Sequence, residues 1–128
     1  MSILEKVLYA EDEADIREIA TLALETIGEL QVASCPSGVQ VIDLATSFQP
    51  QIILLDVMMP EMDGPTTLDA LKKHDILKTT PVIFLTAKIL PDEIERFKAL
   101  GAIEVISKPF DPLTLADQIK EIWARCNE

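Results

Sequence analysis

Four places in the sequence put charged or hydroxyl-bearing residues directly after a short apolar run. Val7-Leu8-Tyr9-Ala10 leads into Glu11-Asp12-Glu13, Ile52-Ile53-Leu54-Leu55 into Asp56, Val82-Ile83-Phe84-Leu85 into Thr86, and Val105-Ile106 into Ser107-Lys108-Pro109. If these runs are strands of one parallel sheet, the polar residues stand where the carboxyl ends of the strands meet the loops, the place where open α/β sheets bind ligands. With the first and third strands adjacent, Glu11, Asp12 and Asp56 converge, and their mutual repulsion is costly unless a cation lies among them. An oxygen-only, carboxylate-rich set with room for water favours Mg²⁺ over zinc or copper, and metal sites of that build commonly serve phosphate chemistry. A single acidic loop residue is ordinarily solvated surface. A lone lysine and a lone threonine sharing the same rim make that explanation a poor one for the whole set.

The elements that must position these residues follow from hydrophobic patterning. Runs that are apolar throughout suit strands buried on both faces, as in a parallel sheet. A fifth candidate, Leu30-Gln31-Val32-Ala33, is more polar and suits an edge. Between the runs lie segments of helical period. Ile16, Ile19, Ala20, Ala23 and Ile27 form one stripe, which Gly28 is expected to end from a left-handed conformation. Val39 to Ala45 follow Ser37 as N-cap, and the next helix is centred on Leu68 and Leu71. Ile94, Phe97 and Leu100 form a stripe between Pro91 and Gly101, and the last helix is expected to begin at Asp111-Pro112 and to carry Leu115, Ala116, Ile119, Ile122 and Trp123. Strand and helix alternate five times along the chain, which implies parallel strands, right-handed crossovers and helices on both sheet faces.

Length and composition narrow the function classes. The 128 residues, 48% hydrophobic, are expected to make one domain, 1–128, with no room for a second. A formal charge of −11 disfavours direct nucleic-acid binding and anionic membrane surfaces. Cys35 and Cys126 lack metal-ligand spacing and read as reduced thiols of a cytosolic protein. There is no export signal at the start and no apolar stretch near the ~18 residues of a membrane span. The expectation is a soluble, cytoplasmic protein with no membrane insertion.

The motifs Val7-Leu8-Tyr9-Ala10-Glu11-Asp12-Glu13, Ile53-Leu54-Leu55-Asp56-Val57-Met58-Met59-Pro60-Glu61-Met62-Asp63-Gly64, Phe84-Leu85-Thr86-Ala87-Lys88, Gly101-Ala102 and Ser107-Lys108-Pro109-Phe110 resemble the receiver domain of two-component response regulators over essentially the whole chain. The resemblance implies a doubly wound, flavodoxin-like (βα)5 three-layer sandwich with strand order 2-1-3-4-5. It implies Asp56 as phosphoacceptor, with Mg²⁺ held by Asp12 directly, Glu11 through water, Asp56 and the backbone carbonyl of Met58. Lys108 would offset charge building on the phosphoryl group and Thr86 would donate its hydroxyl to it. A cis Lys108-Pro109 bond is implied as well. The implied partners are a sensor histidine kinase or histidine phosphotransfer protein and a downstream protein target, with phosphorylation-dependent homodimerisation left open.

Two departures from the family pattern stand out. Val105 replaces the usual aromatic three positions before the lysine, so a rotamer switch coupled to Thr86 cannot operate as such, and the signal is expected to travel by backbone and loop shifts. Glu11 replaces the commoner Asp. Met58 and Lys88 occupy places whose side chains flank the path of an attacking water, and a thioether cannot orient that water, so slow self-dephosphorylation is expected. His74 reads as surface, Trp123 and Tyr9 as core, and Met59 and Met62 as loop packing. Two other functions remain open from the residues. A Mg²⁺-dependent aspartyl-phosphate phosphatase or phosphotransferase would need a second Asp where Met58 stands and a cap. A flavodoxin-like electron carrier would need a first loop that cradles a phosphate, whereas Glu11-Asp12-Glu13 repels one.

Overall fold

The short apolar runs become the strands of one parallel sheet in the computed structural model, which describes residues 3–87 and 90–126. The strands are β1 (Lys6–Ala10), β2 (Gln31–Cys35), β3 (Ile52–Asp56), β4 (Val82–Thr86) and β5 (Glu104–Ser107), in the order β2-β1-β3-β4-β5. Every position of β3 and β4 is buried, as expected of strands covered on both faces. The edge strands β2 and β5 are more polar and partly exposed.

Successive side chains of a strand point to opposite faces, and this divides the core in two. Tyr9, Leu54 and Leu85 pack with Ala20 and Leu24 of α1 (Ala14–Thr26) and with Leu115, Ala116 and Ile119 of α5 (Leu115–Cys126). Leu8, Leu55 and Phe84 pack with Val41 of α2 (Val41–Phe48), Leu68 and Leu71 of α3 (Gly64–Lys72), and Phe97 of α4 (Pro91–Leu100). The molecule is therefore a three-layer α/β sandwich, with α1 and α5 on one face of the sheet and α2, α3 and α4 on the other.

Several local expectations need correction. The buried face of α1 is Ala20, Ala23 and Leu24, whereas Ile19 and Ile27 are about half exposed, at 51% and 47%. Alanines let the helix approach the sheet, which displaces the longer isoleucines to the flank. Gly28 does not adopt the left-handed conformation; Glu29 does, with φ 55°. What Gly28 supplies is space, since a Cβ there would lie 2.6 Å from the Leu24 carbonyl oxygen and 2.7 Å from the Ala116 Cβ. Gly101 takes the positive φ instead, 122°, at the end of α4.

Helix starts also shift. Ser37 precedes a 3₁₀ turn, Gly38–Gln40, and makes no side-chain cap bond. Asp111 caps a turn rather than the helix proper: its Oδ1 accepts from the Leu113 N–H at 2.9 Å and its carbonyl from Leu115 N–H at 3.0 Å, so α5 starts at Leu115. In α4 only Phe97 is buried, and Leu100 is 47% exposed. Trp123 packs on the core from α5 and is partly buried. His74 is partly exposed, its Nδ1 accepting from the Ile76 N–H at 3.2 Å.

Candidate functional site

The carboxyl ends of β1, β3 and β4 open onto one rim because the three strands are neighbours in register, with Ala10 opposite Leu55 and Asp56 opposite Leu85. Asp56 closes β3 and Glu11 follows β1 directly. Below Asp56 the chain turns into α3, where Asp63 accepts from the Thr66 N–H at 2.8 Å as N-cap. Gly64 lets that turn close tightly, since a Cβ would stand 2.8 Å from the Asp56 carbonyl oxygen.

The expected convergence takes place: carboxylate oxygens of Glu11, Asp12 and Asp56 all lie within 4.8 Å of one another. Their surroundings differ sharply. Glu11 is 0% exposed and Asp56 4%, whereas Asp12 is open to solvent. Lys108, carried on the loop after β5, reaches between the two buried groups, its Nζ 2.8 Å from Glu11 Oε1 and 3.3 Å from Asp56 Oδ2. That loop is tied to β4 by the Lys108 N–H, which donates to the Thr86 carbonyl at 2.9 Å, and the Lys108–Pro109 peptide is cis.

One ammonium facing two buried carboxylates leaves the pocket short of positive charge. Burial, then hydrogen bonding and repulsion from Glu11, push the Asp56 carboxyl up to about 7 in spite of Lys108. Burial also works to raise Glu11, but bonds with Asp56, Lys108 and the Glu13 N–H overcome it and hold Glu11 below its ordinary value. Burial works to lower Lys108, and the two carboxylates outweigh it, so the ammonium is held above its ordinary value. Of the two buried carboxyls, Asp56 is thus the one whose surroundings favour the protonated form, because Glu11 has more donors around its oxygens. A divalent cation would displace that proton. The donor set is three carboxylates without histidine or cysteine, which fits Mg²⁺ and not a soft metal.

Of the remaining expected residues, Thr86 is buried at the end of β4, one position past the residue paired with Asp56. Met58 lies two residues beyond Asp56 with its side chain 73% exposed. Lys88 lies outside the described residues. Met59 is buried against the α2–α4 side of the core, as expected of loop packing. Two contributors were not legible as such. The Tyr9 hydroxyl donates to Glu11 Oε1 at 3.3 Å, and Arg17 donates from Nη1 to the Glu11 carbonyl at 2.7 Å. Tyr9 stands two residues before Glu11 on the same face of the strand, which is the signal that could have linked them.

The family described as "Response regulator receiver domain" matches residues 7–120. A probable transcriptional regulator, ycf27, of Guillardia theta is 35% identical over 126 residues, 97% of this chain and 47% of that protein. Response regulator Rre1 of Synechocystis is 31% identical over 93% of this chain and 52% of its own length. The chain thus spans about half the length of the curated relatives it matches. Among solved structures, chemotaxis response regulator CheY4 of Vibrio cholerae superposes with a TM-score of 0.85 at 28% identity, covering 93% of this chain and 98% of that one. Fold, rim chemistry and sequence agree: the chain belongs to the response regulator receiver domain family of two-component signalling, whose members are phosphoacceptor switches.

Proposed function

We propose that Asp56 is the phosphoacceptor of this receiver domain. The observation that carries the proposal is the Lys108 ammonium lodged between Glu11 and Asp56 at 2.8 and 3.3 Å, in a pocket that is one positive charge short. A carboxylate attacks a phosphoryl dianion only when cations offset their repulsion. Receiver domains bind Mg²⁺ at such an acidic pocket. Here Asp12, Asp56, the Met58 carbonyl and, through water, Glu11 would hold it, and the ion would supply charge neutralisation and alignment of the phosphoryl oxygens.

The chain's own groups do the rest. An Asp56 oxygen forms the new P–O bond as the P–N bond of a phosphohistidine breaks; the bonding pair stays on that ring nitrogen, and a donor ring already protonated on its other nitrogen leaves as neutral imidazole. Lys108 shifts from Glu11 toward the phosphoryl oxygens and Thr86 donates its hydroxyl there. The donor is a histidine kinase or histidine phosphotransfer protein in the cytoplasm. A groove of about 190 Å³ beside Lys108, lined by Ile16, Ile19, Pro109, Phe110 and Pro112, supports docking of an apolar helix face next to the acceptor. The acyl phosphate adds about one to two negative charges. That charge remodels the face near Thr86 and Val105, where a downstream protein binds. Self-dephosphorylation is slow, because Met58 offers an attacking water no polar handle.

Incubation with a small phosphodonor and Mg²⁺ tests the assignment. Intact mass should rise by one phosphoryl group in the wild-type chain and stay unchanged in Asp56→Asn. Labelling that survives this substitution would assign the acceptor elsewhere.

A further inference from the structure

We infer that Tyr9 is a positioning residue of the metal pocket, tethering the long Glu11 side chain so that its carboxylate is held for cation binding. The inference rests on the acceptor-site reading above. Its basis is a buried contact: the Tyr9 ring is 1% exposed within the core between β1, α1 and α5, and its hydroxyl reaches Glu11 Oε1 at 3.3 Å.

Glutamate has one more rotatable bond than aspartate, so a carboxylate at the end of that arm needs an extra restraint to occupy a fixed point. In this chain the restraint comes from both sides. Lys108 Nζ and the Tyr9 hydroxyl both donate to Oε1, and the Glu13 N–H donates to Oε2 at 3.3 Å. Lys108 cannot be the permanent anchor, because it also faces Asp56 and is the group that must move toward an incoming phosphoryl. The Tyr9 hydroxyl is fixed by a ring that has no freedom in the core. It holds the carboxylate in place whichever partner Lys108 takes. Partners one shell beyond a metal's ligands orient those ligands, and their loss commonly costs ~10- to 100-fold in affinity. A bond of 3.3 Å to a group that acts through water belongs at the lower end.

Tyr9→Phe keeps the ring and removes only the oxygen. Calorimetric titration with Mg²⁺ should show a dissociation constant raised about 10-fold. With a small phosphodonor, the half-saturating Mg²⁺ concentration should rise by the same factor while the rate at saturating Mg²⁺ stays unchanged. The decisive arm is the shorter acid: in a Glu11→Asp background, adding Tyr9→Phe should leave Mg²⁺ affinity unchanged, because an aspartate has no long arm to tether. Equal affinity of wild type and Tyr9→Phe overturns the inference. So does the same loss in both backgrounds, which would mark Tyr9 as general packing. A folded wild-type chain that takes up no Mg²⁺ would overturn the metal reading and the tether together, whereas Mg²⁺ binding by wild type with no effect of Tyr9→Phe removes the tether alone.

Discussion

Removing the Asp56 charge should stabilise the metal-free protein, by more as the pH rises toward 8. Asp56 is buried beside Glu11, and its carboxyl is lifted from 3.8 to about 7 in the folded chain. Between those values the folded chain holds a proton that the unfolded chain releases, so this group's contribution makes stability fall as pH rises through that window. Above it the full penalty applies, on the order of 4 kcal/mol at about 1.4 kcal/mol per pH unit of displacement. Water at the open rim and relaxation of Lys108 reduce this, and roughly half, about 2 kcal/mol, is the expected net cost. An amide at the same position carries no charge at any pH. Asp56→Asn should therefore raise the midpoint of thermal unfolding by about 8 °C at pH 8, taking about 4 °C per kcal/mol for a domain of this size. At pH 5 only about a third of the penalty has built up, so the gap between the two chains should shrink to about 3 °C, and below pH 4 it should vanish. Glu11 is held low rather than high, so its contribution is lost only as pH falls below its ordinary range and does not mimic this difference. Saturating Mg²⁺ at pH 8 should narrow the gap, because the cation binds the wild-type pocket more tightly and stabilises it by mass action. Scanning calorimetry of both chains in chelator at pH 5 and pH 8 decides the matter. An equal shift at both pH values, or none at pH 8, refutes the charge argument.

Other sites yield sharper structural tests. Exchanging Met58→Asn together with Lys88→Glu should speed loss of the Asp56 phosphoryl group about 10-fold, less than the ~10²-fold floor of a true general base, as followed by intact mass over time; an unchanged decay rate removes these positions from the reaction. Gly28→Ala should destabilise by roughly 1–3 kcal/mol through overpacking, because the new methyl meets the Leu24 carbonyl and Ala116, and a urea midpoint equal to wild type would contradict that contact. Gln51 ties the start of β3 to the entry of β1, its Oε1 accepting from the Glu5 and Lys6 N–H groups at 2.6 and 2.9 Å and its Nε2 donating to the Ile3 carbonyl at 2.9 Å. Gln51→Ala should cost about 1–3 kcal/mol in the same assay and raise hydrogen exchange at Lys6.

How much of this was legible depended on whether a residue's neighbours were local. β1, β3 and β4 announce themselves as unbroken apolar runs because both faces of each are covered. β5 shows only Val105-Ile106, since Glu104 turns to Lys98 at 3.3 Å and Ser107 to the exposed rim. The site acids were readable from their place after the strands, and the pairing of β1 with β3 made them meet. Helix faces were harder. The period on α1 picks out Ile16, Ile19, Ala20, Ala23 and Ile27, yet only the two alanines of that stripe are buried, and Leu24, outside it, is buried with them. Gly28 was rightly singled out, but a left-handed backbone and a close approach leave the same glycine in the sequence, and only the packing of α5 distinguishes them. Tyr9 looked like core because its ring is core; the oxygen at its tip has a different role, visible only when Glu11 folds back on it.

The same burial that makes the pocket unfavourable at rest is what makes it responsive. Charges in the sheet interior are weakly screened, so a cation or phosphoryl group added at Asp56 changes the local balance by far more than it would on open surface. The resulting force must be released where the structure yields. The strands resist: β3 and β4 are buried at every position and bonded on both sides, and the Lys108 N–H ties the β5 loop to Thr86 at 2.9 Å. α4 is different. Its only buried residue is Phe97, held by an edge contact to Phe84 with ring centroids 5.1 Å apart, and an exposed Glu93–Arg96 pair adds little. A partly exposed Lys98–Glu104 pair ties α4 to β5 as well, but Phe84 pairs in register with Val105 and lies two residues before Thr86, so the aromatic contact that holds α4 lies on a strand that ends at the site. With a small Val105 in place of an aromatic, no bulky rotamer at that position is needed for the helix to shift. Under the proposed function, α4 moving against Phe84 would let the signal travel by backbone and loop displacement.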